Sequence, residues 1–142
     1  DVVDICKHVL EVERPLAERR RISLDLAARD SLVAHVDSGK VHQIVQNLVR
    51  NGIEATKPGG HVEIAIDDSG AANAFHIRVR DDGPGIPSEV LPRIYEPFFS
   101  TKDTGTGMGM AIVHSLVVMH GGKIDIATGA AGTQFDVELP RQ

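Results

Sequence analysis

Apolar and polar positions alternate with two different periods along this chain, and the change of period divides it into elements. Over residues 2–20, Val3, Cys6, Val9 and Leu10, then Glu13, Leu16 and Ala17, trace an interrupted 3.6-residue repeat, which predicts a helix. Pro15 falls inside that stretch and predicts a kink or break there. "ISLDLA" (22–27) alternates with period two and predicts a strand; "LVAHV" (32–36) predicts a second. A helix-start signal at Asp37 or Ser38 opens the next segment, where Val41, Ile44, Val45 and Leu48 form an apolar stripe. Pro58, Gly59 and Gly60 end it. "HVEIAID" (61–67) and "FHIRVRD" (75–81) alternate as two strands joined by a hairpin loop, "SGAAN". Residues 88–104 carry no clear period, although "SEVLPRIYE" has room for a turn of helix. An apolar helix is predicted over 107–120, and "KIDIAT" (123–128) and "TQFDVEL" (133–139) close the chain as strands. Hairpins with helices between them predict a mostly antiparallel sheet with helices on one face, an α+β two-layer sandwich.

Composition narrows the class. At 142 residues the chain has the length of one domain, with a globular balance of 42% hydrophobic and 25% charged residues. A formal charge of −5 argues against a phosphate-backbone footprint, so nucleic acid is not an expected partner. No apolar run reaches the ~18 residues that a membrane span needs, so no direct membrane contact is expected. No secretory leader is visible, and the lone Cys6 excludes an internal disulfide, so a reducing, cytoplasmic setting is expected. Cys6 itself reads as a small buried apolar residue.

The candidate chemistry centres on the glycine-rich "GTGMGMAIV" (105–113), which runs straight into an apolar helix. Backbone N–H groups at such a helix start attract phosphate. It is not a P-loop, because Met110 stands where Lys is required. It is a poor dinucleotide fingerprint, because the spacing is G-x-G-x-G and no good strand precedes it. Alone it reads equally well as a hinge. Asn47 and Asn51 lie one turn apart on the 38–56 helix, off its apolar stripe. Their side-chain oxygens suit a hard cation such as Mg²⁺, and equally an exposed polar face. Asp81 ends a strand at "DDGPGIP" (81–87), where a carboxylate can accept from an exocyclic amine.

The order of these motifs resembles the ATP-binding (Bergerat, HATPase-type) fold shared by type II topoisomerases, a heat-shock chaperone family, mismatch-repair proteins and sensor histidine kinases. The likeness is strongest to the catalytic and ATP-binding domain of bacterial histidine kinases. "QNLVRNGIEAT" resembles the N box, "DDGPGIP" and "GTGMGMAIV" two glycine boxes, "YEPFFSTK" the F box and "GTQF" the last glycine box, over roughly residues 36–139. This resemblance implies a mixed, mostly antiparallel sheet, about three helices and an ATP lid over about 87–104. It implies that Asn51 ligates Mg²⁺ with Asn47 beside it, contacting phosphate or metal, and that Asp81 holds the adenine amino group. Gly83, Gly85 and Ile86 would shape the base pocket, and Thr133 would support Asp81. Lys102 would reach the phosphates, with Arg93 behind it. Gly105, Thr106, Gly107, Met108 and Gly109, with Met110, would cradle the triphosphate. Phe98 and Phe99 would anchor the lid or dock on a partner domain. Met110 stands where leucine is usual, and Gly52 where alanine is usual.

Within the resembled fold, the hydrolysing branches carry Glu at the position of Asn47, as a general base. An amide cannot accept a proton at neutral pH, so transfer to a separate nucleophile is expected. None of the 7 histidines lies in an H-[ED]-x-x-x-P acceptor pattern, and none belongs to a zinc-spaced cluster. The implied protein is a two-component phosphotransferase. Its partners would be a dimerisation and histidine-acceptor domain, expected N-terminal to this single domain, and a response-regulator receiver. An ATPase-type switch of the same fold and a non-catalytic nucleotide-binding module are the alternatives.

Overall fold

The computed structural model describes residues 1–28, 32, 34, 36–68, 73–96 and 109–140. Helix α1 spans Val2–Arg19, and Asp1 caps it by accepting from the Val3 N–H at 2.8 Å. The helix runs unbroken through Pro15 to Arg19. Strand β1 follows at Ser23–Ala27. Helix α2 is Ser38–Ala55, capped by Asp37 accepting from the Lys40 N–H. Strands β2 (His61–Asp67) and β3 (Ala74–Asp81) come next, then a 3₁₀ turn at Leu91–Arg93. Helix α3 (Gly109–Met119) and strands β4 (Lys123–Gly129) and β5 (Gly132–Pro140) complete the fold.

One expected strand is corrected. Leu32, Ala34 and Val36 belong to no strand. The backbone groups of Leu32 are spent on the start of α1. Its N–H donates to Asp1 Oδ1 at 3.3 Å, and its carbonyl accepts from the Val2 N–H at 2.9 Å. Apolar alternation there reflects a segment laid against the core, with Leu32 buried, and not a sheet ladder.

The sheet has five strands in the order β1-β2-β3-β5-β4. Only β1 and β2 are parallel; the other neighbours are antiparallel. Period-two patterning sends one face of the sheet to the helices. Val62, Ile64 and Ile66 of β2, Phe75, Ile77 and Val79 of β3, and Phe135, Val137 and Leu139 of β5 are all buried there. The apolar stripe of α2 covers that layer, with Val41, Ile44, Val45, Leu48, Val49 and Ile53 buried. Burying a side chain such as Phe75 or Leu48 contributes about 1.5–3 kcal/mol. The opposite face is polar. Arg78 there is paired with Asp67 and with Asp136, and His76 contacts Asp136 at 2.7 Å. The hydrogen bond to Asp67 leads in holding the Arg78 guanidinium above its ordinary value.

Along the row nearest the C-terminal end of β3, the helix-facing side changes character. Val62 pairs with Asp81, Asp81 with Thr133, and Thr133 with Thr128. Asp81 and Thr133 are buried although polar. The last turn of α2 lies over this row. A Cβ placed on Gly52 would meet Val62 at 3.4 Å and Asp81 Cβ at 3.5 Å, which is ordinary contact. Gly52→Ala is therefore expected to fit and to stabilise the chain by about 0.5–1 kcal/mol through helix propensity. Chemical denaturation of the two proteins measures this; a loss of stability would show that the helix–sheet gap has no room for a methyl group.

Helices α1 and α2 run in the same direction, since His8 meets His42 and Glu13 meets Gln46 and Arg50. Glu13 is 1% exposed. Its carboxylate accepts from Arg50 Nε at 2.9 Å, Arg50 Nη2 at 3.2 Å and Gln46 Nε2 at 3.2 Å. A buried carboxylate needs such partners, and here they are the residues that immediately precede Asn47 and Asn51. Cys6 is buried as expected, and burial pushes its thiol up to about 12, which leaves it protonated and inert at neutral pH.

Candidate nucleotide site

Of the residues singled out by sequence, Asp81, Gly83, Gly85, Ile86 and Thr133 come together at one end of the sheet. Strand β3 delivers Asp81, whose Oδ1 accepts from the Gly83 N–H at 2.8 Å. That local bond turns the chain out of the strand, as Asp commonly does. Thr133 stands beside Asp81 in the β3–β5 register. Its hydroxyl meets Thr128 Oγ1 at 2.9 Å, and Thr128 Oγ1 accepts from the Ile86 N–H at 2.8 Å. Gly83, Gly85 and Ile86 are thereby held between the end of α2 and the β4–β5 hairpin. Thr128 carries no sequence motif and was not anticipated. A hydroxyl that can accept and donate at once was the only signal it offered.

Two glycines make the close approach possible. Gly85 has φ +86°, and a Cβ there would lie 2.3 Å from the Gly129 carbonyl oxygen. Gly132 has φ +136°, and a Cβ there would lie 1.9 Å from the Asp81 carbonyl oxygen. These are left-handed or otherwise glycine-only conformations, pressed against another backbone.

From the helix layer, α2 presents Asn47 and Asn51, both half-buried. The Nδ2 of Asn47 is buried without a hydrogen-bond partner. An orphaned amide donor costs about 1–3 kcal/mol, and an oxygen-rich ligand would relieve it. Among the described residues no group of three or more His, Cys, Asp or Glu could hold a metal. A cation at this end of α2 would therefore rely on amide oxygens, water and ligand oxygens, a donor set that fits Mg²⁺. Gly109 and Met110 form the first turn of α3. Lys102, Gly105, Thr106, Gly107 and Met108 lie outside the described residues, as do Phe98 and Phe99 and the part of the expected lid beyond Glu96. Arg93 lies in the 3₁₀ turn and its Nε contacts Glu96 at 3.1 Å.

Within the described part of the segment expected as a lid, two residues are anchored on the core. Ile94 is buried, and Tyr95 stacks on His114 of α3 with ring centroids 4.7 Å apart. The Tyr95 hydroxyl is buried without a hydrogen-bond partner. Burial first, and the charge of Asp125 second, push the phenol up to about 12. The folded value exceeds the ordinary 10.0, so the unfolded chain gives up this proton first as pH rises. Stability from this group is complete below pH 10 and is lost between 10 and about 12. Tyr95→Phe is expected to remove that alkaline loss and to gain about 1 kcal/mol by deleting the orphaned hydroxyl. Thermal melts of both proteins at pH 8 and above pH 10 test this; equal alkaline losses would assign the effect elsewhere.

The described part of the site is thus a buried polar pair, Asp81 and Thr133, a turn held by glycines and an unsatisfied amide donor on α2. Residues 36–142 match the family described as histidine kinase-, DNA gyrase B- and HSP90-like ATPases, and the chain belongs to that family. It is 35% identical over 142 residues to the sensor histidine kinase ZraS of Escherichia coli (strain K12), covering 99% of this chain and 30% of that protein. It is 35% identical over 115 residues to sporulation kinase A of Bacillus subtilis (strain 168), covering 80% of this chain and 19% of that one. The chain thus spans about a third or less of the length of these relatives. The nucleotide-free catalytic domain of the histidine kinase ThkA superposes with a TM-score of 0.87 at 29% identity, covering 97% of this chain and 91% of that one. Full-length ShkA in complex with AMPPNP gives 0.87 at 28% identity, covering 99% of this chain and 30% of that one. The mixed sheet of five strands and the three helices seen among the described residues make the fold of the ThkA catalytic domain, as the motif order implied.

Proposed function

We propose that this chain is the single catalytic and ATP-binding domain of a two-component sensor histidine kinase. It binds ATP with Mg²⁺ and donates the γ-phosphoryl group to a histidine on a separate dimerisation domain of its own protein. A response-regulator receiver then takes the phosphoryl group; one solved relative is histidine kinase ThkA in complex with the response regulator TrrA. Among the described residues no helix is long and apolar enough to cross a membrane, and we assign the domain to the cytoplasmic part of its protein.

The observation that carries this reading is Asn47. Its buried, unpartnered Nδ2 is a donor, suited to a phosphate oxygen and unable to take a proton from water. The site therefore positions and neutralises charge, and leaves activation of the nucleophile to the acceptor domain. Asp81 accepts from the adenine amino group, with Gly83, Gly85 and Ile86 forming the base pocket and Thr133 supporting Asp81. Asn51 supplies an oxygen to Mg²⁺, which when bound neutralises the phosphate charge during transfer. Backbone N–H groups from Gly105 to Met110 hold the triphosphate at the start of α3, and Lys102 adds a cation.

The test mixes the chain with the acceptor domain of its own protein and ATP labelled at the γ-phosphate. Label should appear on the acceptor histidine, while the chain alone releases phosphate only at background rate. Steady phosphate release by the chain alone would overturn the reading in favour of an ATPase switch. Binding of an ATP analogue without transfer would leave only a nucleotide-binding module.

A further inference from the structure

On the outer side of the α1–α2 seam, two imidazoles face one another. His8 Nδ1 and His42 Nε2 are 3.1 Å apart, with ring centroids 5.1 Å apart and planes inclined at 50°. His8 is exposed and His42 half-buried, so solvent and its ions reach the pair. Neither residue belongs to the nucleotide site, and no family motif covers them.

We infer that His8 and His42 form a two-imidazole site for a divalent transition metal such as Zn²⁺, Ni²⁺ or Cu²⁺. Imidazole nitrogen is the preferred protein ligand of these ions and binds at about 2.0–2.1 Å. At that bond length, two nitrogens on one ion are about 2.9 Å apart in a right-angled arrangement and about 3.4 Å apart in a tetrahedral one. The observed 3.1 Å lies between these. The rings meet nearly nitrogen to nitrogen, so a small rotation of the exposed His8 side chain directs both lone pairs at one ion. The remaining positions fall to water, because among the described residues no third His, Cys, Asp or Glu completes the set. In the metal-free protein the same pair is a hydrogen bond with one nitrogen protonated, which metal binding replaces. The ion would tie α1 to α2 along the seam where Glu13 meets Arg50.

The experiment titrates ZnCl₂, and separately CuCl₂, into the chain without an affinity tag, in buffer free of chelator. We expect one saturable equivalent and a melting temperature raised by about 9 °C at a hundredfold excess over Kd. The Cu²⁺ electron paramagnetic resonance spectrum should show coupling to two imidazole nitrogens. His8→Gln and His42→Gln should each lose the shift and the two-nitrogen signature, with metal-free melting temperatures close to the parent. Absence of saturable binding in the parent would overturn the inference. So would equal binding by both variants, since the ion would then sit on other side chains. These readouts need no nucleotide, so their failure is separate from any failure of the kinase assignment.

Discussion

Asp81→Asn should abolish most nucleotide binding while leaving the fold intact. Asparagine keeps the shape of aspartate and keeps one oxygen to accept from the Gly83 N–H, the bond that forms the turn. It replaces the other oxygen with a donor, which would meet the donor amine of adenine. The site is buried, with Asp81 at 4% exposure, so water cannot step in cheaply. Loss of a charge-assisted hydrogen bond combined with a donor–donor conflict is expected to weaken an ATP analogue by about 100-fold. Isothermal titration reads the affinity, and a thermal melt controls for folding. Undiminished affinity would mean that Asp81 does not hold the base.

The largest stability effect is expected from Gly132→Ala. A methyl group there would sit 1.9 Å from the Asp81 carbonyl oxygen, at a φ of +136° that alanine rarely adopts. Relief requires β5 to move from β3 beside Asp81, at the centre of the sheet. Backbone strain and overpacking together should cost about 3–5 kcal/mol. Denaturant unfolding measures the cost, and binding of the analogue should fall with it. The contrast with Gly52→Ala is instructive. The same substitution is expected to stabilise α2, where the added carbon finds ordinary contact.

Most of the fold was legible because its elements are half-buried and amphipathic. Strands 61–67 and 75–81 show their alternation plainly, since one face meets helices and the other water. The 32–36 segment misled for a related reason. Alternation reports alternating burial, and Leu32 is buried by its role at the start of α1 rather than by a sheet. The family was legible as an ordered set of motifs, but the contacts around those motifs were not. Thr128 earns its place through two hydrogen bonds to partners that only folding brings near. Glu13 looked like an irregularity in an apolar stripe, and its partner Arg50 lies 37 residues away. The orphaned Nδ2 of Asn47 is a property of packing, which no pattern of residue types contains.

The pairing of Asp81 with Thr133 has a consequence for how this end of the sheet comes into being. These two neighbours are separated by 133 − 81 = 52 positions along the chain. Loop closure on that scale carries an entropic cost that must be met before the contact exists. The Asp81–Thr133 pair is therefore assembled only when the last strand enters the middle of the sheet. A nascent or truncated chain that lacks β5 would have Asp81, Gly83 and Gly85 in its sequence and still no Thr133 beside them. On the proposed assignment of Asp81 and Thr133 to the base site, nucleotide in solution would favour the finished chain over any partly folded one.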